Sequence, residues 1–473
     1  MNLLLTLALA AALPGAVDPA RDIFVRWPDP QGLDLLRQAG VTVAIGPPVE
    51  TFARACAAAG LTPFAETTLS KALSLGALGF RGVAIEDPGQ GPLPALGGLQ
   101  ALVYVKPNRI AQRFSPGIPV LLDGQWPGVR SGPNVPGRGI EVATASREPW
   151  VDANSYLIAY LRALYPDRPA LLGYRPDPNR GVGFESLELG LAEAVAAGGN
   201  VILTLPDDYR KALLAGDAKA LAAWRSLGGA IRFLRENAGR FGRPSRSRLA
   251  VAAGTLEESG EILNLLFRRN LSPVILPAEP LADLDPARFL ALVAANLKAP
   301  QAANRERILK FARAGGMVIA AGKPAWWLAP EARKTRADQD RDFYSLGQGQ
   351  VVAYRQPIAD PSEFALDVID LTGVRRRDVR VWNAGAVVGL ASAGEPPWLH
   401  LLNYDAPRDD EFPARVEGIF AGALLYEPGA AGPRRLKAVA RGSSTEITVE
   451  RLGRLGSIEL IMKASMKVSK EAP

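Results

Sequence analysis

Several carboxylate, aromatic and basic residues in the first half of this chain directly follow short apolar runs. Glu86 is the clearest case, because the run Gly82–Ile85 leads straight into Glu86, Asp87 and Pro88. A carboxylate that follows a buried strand is held rigidly and partly withdrawn from water, which raises its pKa towards the range that a general acid needs. Residues in similar positions are Trp27, Asp29, Glu66, Lys106, Asp123, Trp126, Tyr174, Arg175, Asp207 and Asp208.

These residue types suit sugar chemistry when they meet at one site. Paired carboxylates act as general acid and as base or nucleophile, and aromatic faces stack on pyranose rings. We take Glu86 as the first catalytic candidate. Asp123, which Trp126 follows closely, is the preferred second carboxylate, and Asp152 is the next choice. Asp152 and Asn154 also have a structural interpretation, as caps of a helix that begins at Ser155.

A further set of residues is predicted to bind the substrate. Trp27, Trp126 and Trp150 are candidate stacking platforms, although each also suits a hydrophobic core. The polar candidates and the remaining aromatic one are Asp29, Asp87, Lys106, Asn154, Tyr174 and Arg175.

Eight apolar runs between residues 23 and 205 are predicted strands, and helical patterns lie between several of them. The runs are mostly continuous rather than alternating, which is typical of parallel strands buried on both faces. Eight repeated βα units indicate a closed (β/α)8 barrel, whose sites lie at the C-terminal ends of the strands. The runs are Ile23–Trp27, Val41–Ile45, Pro63–Glu66, Gly82–Glu86, Leu102–Lys106, Pro119–Asp123, Ala170–Tyr174 and Val201–Leu205.

The barrel is expected to be distorted, with one or two helices missing. Residues 88–139 contain few helical patterns, and Ile140–Ala145 could be a ninth strand. One long helix, Lys211–Asn237, is predicted to close the barrel. A linker rich in Gly, Pro, Ser and Arg follows at 239–248.

The chain divides into an α/β barrel, a small α/β unit and an antiparallel β-sandwich. In the second unit, strands alternate with helices, whereas the last part has short runs separated by Gly, Pro and Asp. The predicted boundaries are 1–17 for a signal peptide, 18–240 for the barrel, 249–345 for the small α/β unit, 346–463 for the sandwich and 464–473 for a polar tail.

The N-terminus has the pattern of a secretory signal peptide. Leu3–Leu13 is apolar apart from Thr6, and Pro14, Gly15 and Ala16 follow it. We therefore expect a secreted or periplasmic protein. The alternative is a buried first strand or helix. The run is too short for a stable membrane span, so no membrane association is expected after its removal.

The order of units resembles that of multidomain glycoside hydrolases built on a TIM barrel, such as the family 42 β-galactosidases. The passage Asn304–Gly322, a helix followed by Gly-Gly and an apolar strand, resembles the class I amidotransferase-like domain of those enzymes. Leu399–Tyr404 resembles a strand of their C-terminal domains, and Glu148–Asn154 resembles a segment of uncharacterised secreted members.

The resemblance implies a role for Glu86. The acid/base glutamate of that clan ends the fourth barrel strand, which is where Glu86 lies, although Ile85 replaces the usual preceding Asn. The clan's nucleophile follows the seventh strand, where this chain has Tyr174, Arg175 and Asp177 but no Glu. Two functions therefore remain open: a glycoside hydrolase-like enzyme acting on a glycan, or a non-catalytic carbohydrate-binding or cell-surface protein on a degenerate barrel.

Composition argues against other classes of protein. The net charge is +7, from 55 basic and 48 acidic residues, without a basic stripe interleaved with aromatics, so no nucleic-acid partner is expected. One Cys and one His argue against a zinc site, and no glycine-rich phosphate motif follows a strand, so we expect no metal site and no cofactor. A carboxylate-bound Ca²⁺ or Mg²⁺ is the alternative, although the sequence has no EF-hand-like spacing. The oligomeric state stays open.

We predict that the protein has no glutaminase activity. Amide transfer needs an activated thiolate and a His base, but Cys56 lies in the predicted barrel and His400 in the predicted sandwich. The full-length protein should release ammonia from glutamine no faster than buffer does in a coupled assay, with an authentic glutaminase as positive control. Ammonia release that Cys56→Ala abolishes would contradict this expectation.

Overall fold

The computed structural model describes residues 17–86, 88–89, 91–110, 114, 116–129, 149–174, 183–295, 297, 300–321, 327–373 and 377–462. These residues form a parallel barrel, a mixed α/β sheet and an antiparallel sandwich, as the sequence predicts. No helix in these ranges combines the length and the apolar character that a membrane crossing requires.

The first unit is a closed barrel of eight parallel strands, and all eight predicted runs form its wall. A short antiparallel ribbon of two further strands follows the sixth barrel strand. Around the ring the strands follow chain order, with the ribbon left out. The strands are β1 (Phe24–Arg26), β2 (Val43–Gly46), β3 (Thr62–Thr67), β4 (Gly82–Glu86), β5 (Gln100–Val105), β6 (Ile118–Gly124), the ribbon strands β7 (Gly128–Val129) and β8 (Val151–Asp152), then β9 (Leu171–Tyr174) and β10 (Asn200–Thr204).

Alternation along each strand separates two cores. Side chains at every second position fill the barrel interior, and those between them pack under the surrounding helices. The interior set is Phe24, Val43, Ile45, Phe64, Ala84, Leu102, Tyr104, Val120, Leu171 and Ile202.

Helices surround the barrel unevenly, as expected. In the described residues no helix separates β4 from β5, and only the 3-10 turn Pro107–Arg109 follows β5. The candidate strand Ile140–Ala145 lies outside the described residues. The helices are α1 (Leu33–Gln38), α2 (Glu50–Ala58), α3 (Leu69–Ala72), α4 (Ser155–Leu164), α5 (Ser186–Ala196), α6 (Asp207–Leu214) and α7 (Ala218–Glu236).

The prediction of one long helix over Lys211–Asn237 is wrong. Gly216 adopts a left-handed conformation with φ of 78°, which ends α6. The Asp217 side chain then accepts a hydrogen bond from the Ala220 N–H and caps α7. A continuous helical pattern on both sides of Gly216 concealed this stop.

The second unit is a seven-stranded sheet in the order β12-β11-β13-β14-β17-β16-β15. Strands β12 to β14 and β17 run parallel to β11, and β16 and β15 complete an antiparallel edge. Its elements are β11 (Leu249–Ala253), α8 (Leu256–Arg268), β12 (Val274–Pro277), β13 (Ala291–Ala294), α9 (Ala302–Arg313), β14 (Met317–Ala321), β15 (Arg333–Ala337), β16 (Arg341–Leu346), β17 (Gly349–Tyr354) and α10 (Pro361–Thr372).

The third unit is an antiparallel sheet in the order β18-β21-β24-β23-β22-β25-β20-β19, folded at β23 into two layers around one apolar core. Its strands are β18 (Val379–Val381), β19 (Val387–Ser392), β20 (Trp398–Asn403), β21 (Phe412–Glu417), β22 (Phe420–Tyr426), β23 (Arg434–Arg441), β24 (Ser444–Val449) and β25 (Leu455–Met462).

The boundary between the second and third units lies later than residue 346. Strand β17, which the sequence assigns to the sandwich, pairs in parallel with β14, and α10 packs against α8. The sandwich therefore begins at Val379. A short apolar run such as Val351–Tyr354 has the same pattern in either kind of sheet, so only its pairing partner identifies the unit.

The linker at 239–248 is packed rather than extended. The Arg246 N–H donates to the Ala391 carbonyl, and the Arg243 guanidinium donates to the Pro396 carbonyl at 2.8 Å. The ribbon makes another connection, because the Val129 N–H donates to the Tyr404 carbonyl. The barrel and the sandwich are therefore in direct contact.

Candidate functional site

Four polar side chains face inward at the C-terminal end of the barrel. Arg26, Glu66, Glu86 and Tyr104 lie on β1, β3, β4 and β5, each two residues beyond an interior apolar position. We call these four residues the mouth cluster. Active sites of this fold form at the same end of the barrel, where several strands contribute one residue each.

The Arg26 guanidinium binds Glu66 through two hydrogen bonds. Its Nη2 atom donates to Oε1 at 2.6 Å and its Nε atom to Oε2 at 3.3 Å. Each of the two side chains is 32% exposed. A two-point guanidinium contact fixes the plane of a carboxylate as well as its position, so Glu66 is held in one orientation at the mouth.

Tyr104 lies close to all three charged residues of the mouth cluster. Its side chain is buried, and the Arg26 guanidinium lies 5.8 Å from its ring centroid. Burial raises the pKa of the Tyr104 phenol well above its usual value; Glu66 and Glu86 raise this pKa further, and Arg26 opposes them. The phenol is therefore neutral, and its hydroxyl finds no hydrogen-bond partner among the described residues.

Glu86 ends its strand at the barrel mouth, as the sequence predicts. In the strand register Glu66 pairs with Ala84, so Glu86 lies one inward position above Glu66 on the neighbouring strand. The spacings of parallel strands then put the two Cα atoms roughly 8 Å apart. Glu86 is exposed rather than partly desolvated, because the last residue of the strand extends beyond the packed layers of the interior.

Asp123 and Asp152, the predicted choices for the second carboxylate, both lie near Tyr156 on α4. Burial raises the pKa of the Tyr156 phenol, and the two aspartates raise it further. Asp123 is exposed at the end of β6, whereas Asp152 is 2% exposed in the ribbon.

The predicted stacking residues pack against protein groups. Trp27 is completely buried and donates its indole N–H to the Gln31 carbonyl at 2.7 Å. Trp126 stacks on the buried Tyr174 with ring centroids 5.0 Å apart. Their burial leaves neither Trp27 nor Trp126 an open ring face for a sugar. The Arg268 guanidinium covers one face of Trp150, 4.0 Å from its ring centroid.

The remaining polar candidates are scattered. Asp29 accepts a hydrogen bond from the Gln31 N–H and pairs with Arg210 at 3.8 Å, next to β1. Lys106 is exposed directly after β5. Asp87 and Arg175 lie outside the described residues.

A second polar cluster joins the barrel to the sandwich around Glu193 of α5. The Glu193 carboxylate accepts hydrogen bonds from the Asn154 N–H at 2.9 Å, the Asn154 amide at 2.5 Å and the Tyr404 hydroxyl at 2.7 Å. The Asn154 side chain also exchanges two hydrogen bonds of 2.8 Å with the Gln125 backbone. We call this set the Glu193 network.

The Glu193 network explains several residues that the sequence assigns to a sugar site. Asn154 precedes α4 as a cap residue, but its side chain bonds Glu193 and Gln125 instead of its own helix. Tyr174 lies close enough for Glu193 to raise the pKa of its phenol further, although burial is the main cause of that increase. These residues therefore help to join two units.

The pKa of Glu193 is raised to about 7. Complete burial is the main cause, the hydrogen bonds from Asn154 and Tyr404 oppose it, and Asp152 raises this pKa further. The sequence contains a weak signal for this residue: Glu193 is the only charged residue between Gly190 and Gly199. Arg26 and Tyr104 have a similar signal, since each is a polar residue within an apolar strand.

No group of three His, Cys, Asp or Glu side chains in the described part of the chain is placed to hold a metal ion.

We predict that ionisation of Glu193 destabilises the protein. The folded chain retains this proton up to about pH 7, whereas the unfolded chain loses it near pH 4.3. The free energy of unfolding should therefore fall as the pH rises through that window, by at most about 4 kcal/mol. Urea unfolding at pH 5, 6, 7 and 8 measures this slope.

The matched variants are Glu193→Gln and, as an exposed control, Glu236→Gln. The difference in unfolding free energy between wild type and Glu193→Gln should change across the window, whereas the control should follow wild type. A constant offset between wild type and Glu193→Gln would refute this account.

Comparison with known proteins supports the fold. No protein-family model and no curated protein sequence matches the chain. An α-L-fucosidase isoenzyme 2 from Paenibacillus thiaminolyticus superposes with a TM-score of 0.55 at 10% identity, over 94% of this chain and 100% of that one. A β-galactosidase from Bacillus circulans sp. alkalophilus superposes with a TM-score of 0.50 at 10% identity, over 76% of this chain.

The chain spans 63% of that β-galactosidase, which is less than two thirds of its length. At such low identity the likeness concerns the fold alone. The predicted layout of barrel, α/β unit and sandwich is confirmed, and this chain has a glycoside hydrolase-like fold.

Proposed function

We propose that this protein is a glycoside hydrolase-like enzyme that acts on a glycan at the barrel mouth, with Glu66 and Glu86 as its two carboxylates. The observation that carries the proposal is the mouth cluster. Two carboxylates on neighbouring strands face the open end of a closed barrel and both act on one buried phenol, Tyr104. The low-identity neighbours named above supply the sugar context by analogy of fold.

The geometry suggests separate roles for the two carboxylates. Glu66, oriented by Arg26, suits the nucleophile or general base, because that role requires a fixed approach to the anomeric carbon or to a water. Glu86 is exposed at the strand end, where it can give a proton to the oxygen of the leaving group. The Tyr104 hydroxyl is a donor that can bond a substrate oxygen or a water between them.

In this proposal Glu66 takes the place that the sequence gives to Asp123 or Asp152. Side-chain direction is the reason, since Glu66 and Glu86 each lie two positions beyond an interior residue of the barrel and therefore face inward. Asp123 and Asp152 act instead on Tyr156, on the outer side of the wall.

A non-catalytic carbohydrate-binding protein is the second candidate. The Arg26–Glu66 ion pair favours it, because a carboxylate engaged at both oxygens by one guanidinium is less available as a nucleophile. The two candidates differ in one measurable property, which is turnover by the wild-type protein.

We predict that Glu66→Gln and Glu86→Gln each lower kcat on aryl glycosides by about 100-fold or more, because each removes a group that transfers a proton or attacks in the transition state. A panel of aryl glycosides, followed by release of the phenol, measures the rate. Glu50→Gln, on the exposed surface of α2, should keep wild-type activity. Asp123→Asn should change kcat far less than the two mouth variants.

Two results would contradict the proposal. Full activity in Glu86→Gln would show that Glu86 is not the general acid. A larger loss of activity in Asp123→Asn than in Glu66→Gln would show that Asp123, not Glu66, is the second carboxylate. If wild type binds oligosaccharides without hydrolysing any of them, the binding-protein candidate replaces the enzyme. Proton NMR of the first product anomer then distinguishes retention from inversion in an active enzyme.

We also propose that the protein is exported. The apolar run Leu3–Leu13 supports this, and the mature chain should lack roughly the first 12 to 20 residues. N-terminal sequencing of protein recovered from the extracellular or periplasmic fraction is the test. Protein that retains Met1 and stays in the cytoplasm would exclude export.

A further inference from the structure

A cavity of about 70 Å³ lies where the barrel, the linker, the second unit and the sandwich meet. We call it the linker cavity. Its polar lining comes from Arg162 of α4, Arg243 and Ser245 of the linker, Ser272 of the second unit, Ser392 of β19 and His400 of β20. Since about 10–15 Å³ of such space holds one water, the linker cavity has room for several waters or one small polyatomic ion.

Two of the lining side chains are cations that meet only neutral acceptors. Arg162 donates to the carbonyls of Ala197 at 3.0 Å and Gly242 at 2.8 Å. Arg243 donates to the carbonyls of Gly239 at 3.0 Å and Pro396 at 2.8 Å. Neither forms an ion pair with a carboxylate of the described residues. Each guanidinium has five N–H groups, so each has donors left for another acceptor.

Burial makes this positive charge costly. It lowers the pKa of Arg162, and no carboxylate offsets the effect. A third arginine, Arg240, lies nearby with its guanidinium over the Tyr426 ring, 3.7 Å from the centroid. The hydroxyl of Tyr426 donates to the Glu459 carboxylate, so Arg240 has a negative charge close by. Buried charges are normally paired, and Arg162 has no carboxylate partner among the described residues.

One buried polar side chain of the lining has no hydrogen-bond partner among the described residues. It is Ser392, which is 6% exposed. His400, which is 1% exposed, is held by protein groups: its Nδ1 atom lies 3.0 Å from the Ser457 hydroxyl, and its ring also lies against the Arg240 backbone. Buried polar atoms of this kind usually have a protein, water or ligand partner.

The charge around His400 is consistent with this description. Burial lowers the pKa of His400 to about 4; the Arg240 backbone opposes the shift, and the charges of Arg243 and Arg240 add to it. A positive field thus acts at the linker cavity itself.

We propose that the linker cavity binds a small oxyanion such as phosphate or sulfate. Such an ion accepts hydrogen bonds in several directions at once, which suits guanidinium donors from the barrel and the linker and a hydroxyl from the sandwich. Water could satisfy Ser392 but would leave the two guanidinium groups without counter-charge. The bound ion connects the barrel, the linker and the sandwich and stabilises their contact.

Thermal unfolding of the full-length protein tests the proposal. Tm is measured at pH 7 and constant ionic strength while chloride is replaced by phosphate, sulfate or acetate. Phosphate and sulfate should raise Tm saturably, by about 2 °C or more, because a ligand that binds only the folded state stabilises it. Acetate, a planar monovalent ion, should have a smaller effect.

Two variants on the same linker provide the matched comparison. Arg243→Gln should weaken phosphate binding at least 10-fold, as measured by the concentration dependence of Tm. Arg246→Gln should respond like wild type, since Arg246 bonds the Glu417 carbonyl and does not line the cavity.

The chain's single histidine provides a readout that needs no variant. Phosphate should shift the ring NMR signals of His400 over the same concentration range that raises Tm. The proposal is overturned if Tm and these signals follow ionic strength alone, equally in chloride and phosphate. It is also overturned if Arg243→Gln keeps the full response.

Discussion

Closure of the eight parallel strands into a ring forces alternate side chains either into the barrel or under the helices, and the candidate site depends on this constraint. Phe24, Phe64 and Leu102 fill the interior, so the polar residues two positions later, Arg26, Glu66 and Tyr104, emerge together at the mouth. Residues at the positions between these, such as Tyr174, pack outside the wall, even where their side chains would suit a sugar-binding site.

The Arg26–Glu66 ion pair shows how the ring positions a carboxylate. The two residues lie on β1 and β3, with β2 between them, so their side chains meet across one intervening strand. Rigid strands then hold the pair, and Glu86 on the next strand lies beside it. A site built from neighbouring strands needs no mobile element to assemble it.

Polar contacts also join the units, and they place buried charge where the units meet. The Glu193 network connects α5 to the sandwich through Tyr404, and the linker residues Arg243 and Arg246 bond backbone carbonyls of the sandwich. Buried polar groups of this kind hold one arrangement of units, and incompletely compensated charge among them is expected to make that arrangement sensitive to pH and to ions.

The sequence by itself determined the barrel strands, the position of Glu86 at a strand end and the absence of an amidotransferase thiol from the second unit, because these follow from local periodicity and residue type. Only the tertiary structure decided which polar residues meet. Glu193 and Tyr404, which form a hydrogen bond, are 211 positions apart in the sequence. Glu66 and Arg26, which form an ion pair at the mouth, are 40 positions apart. In the same way, only the pairing of β17 with β14 shows that β17 belongs to the second sheet. Pairing partners and side-chain direction depend on how the strands assemble, and a short apolar run has the same sequence pattern in either sheet.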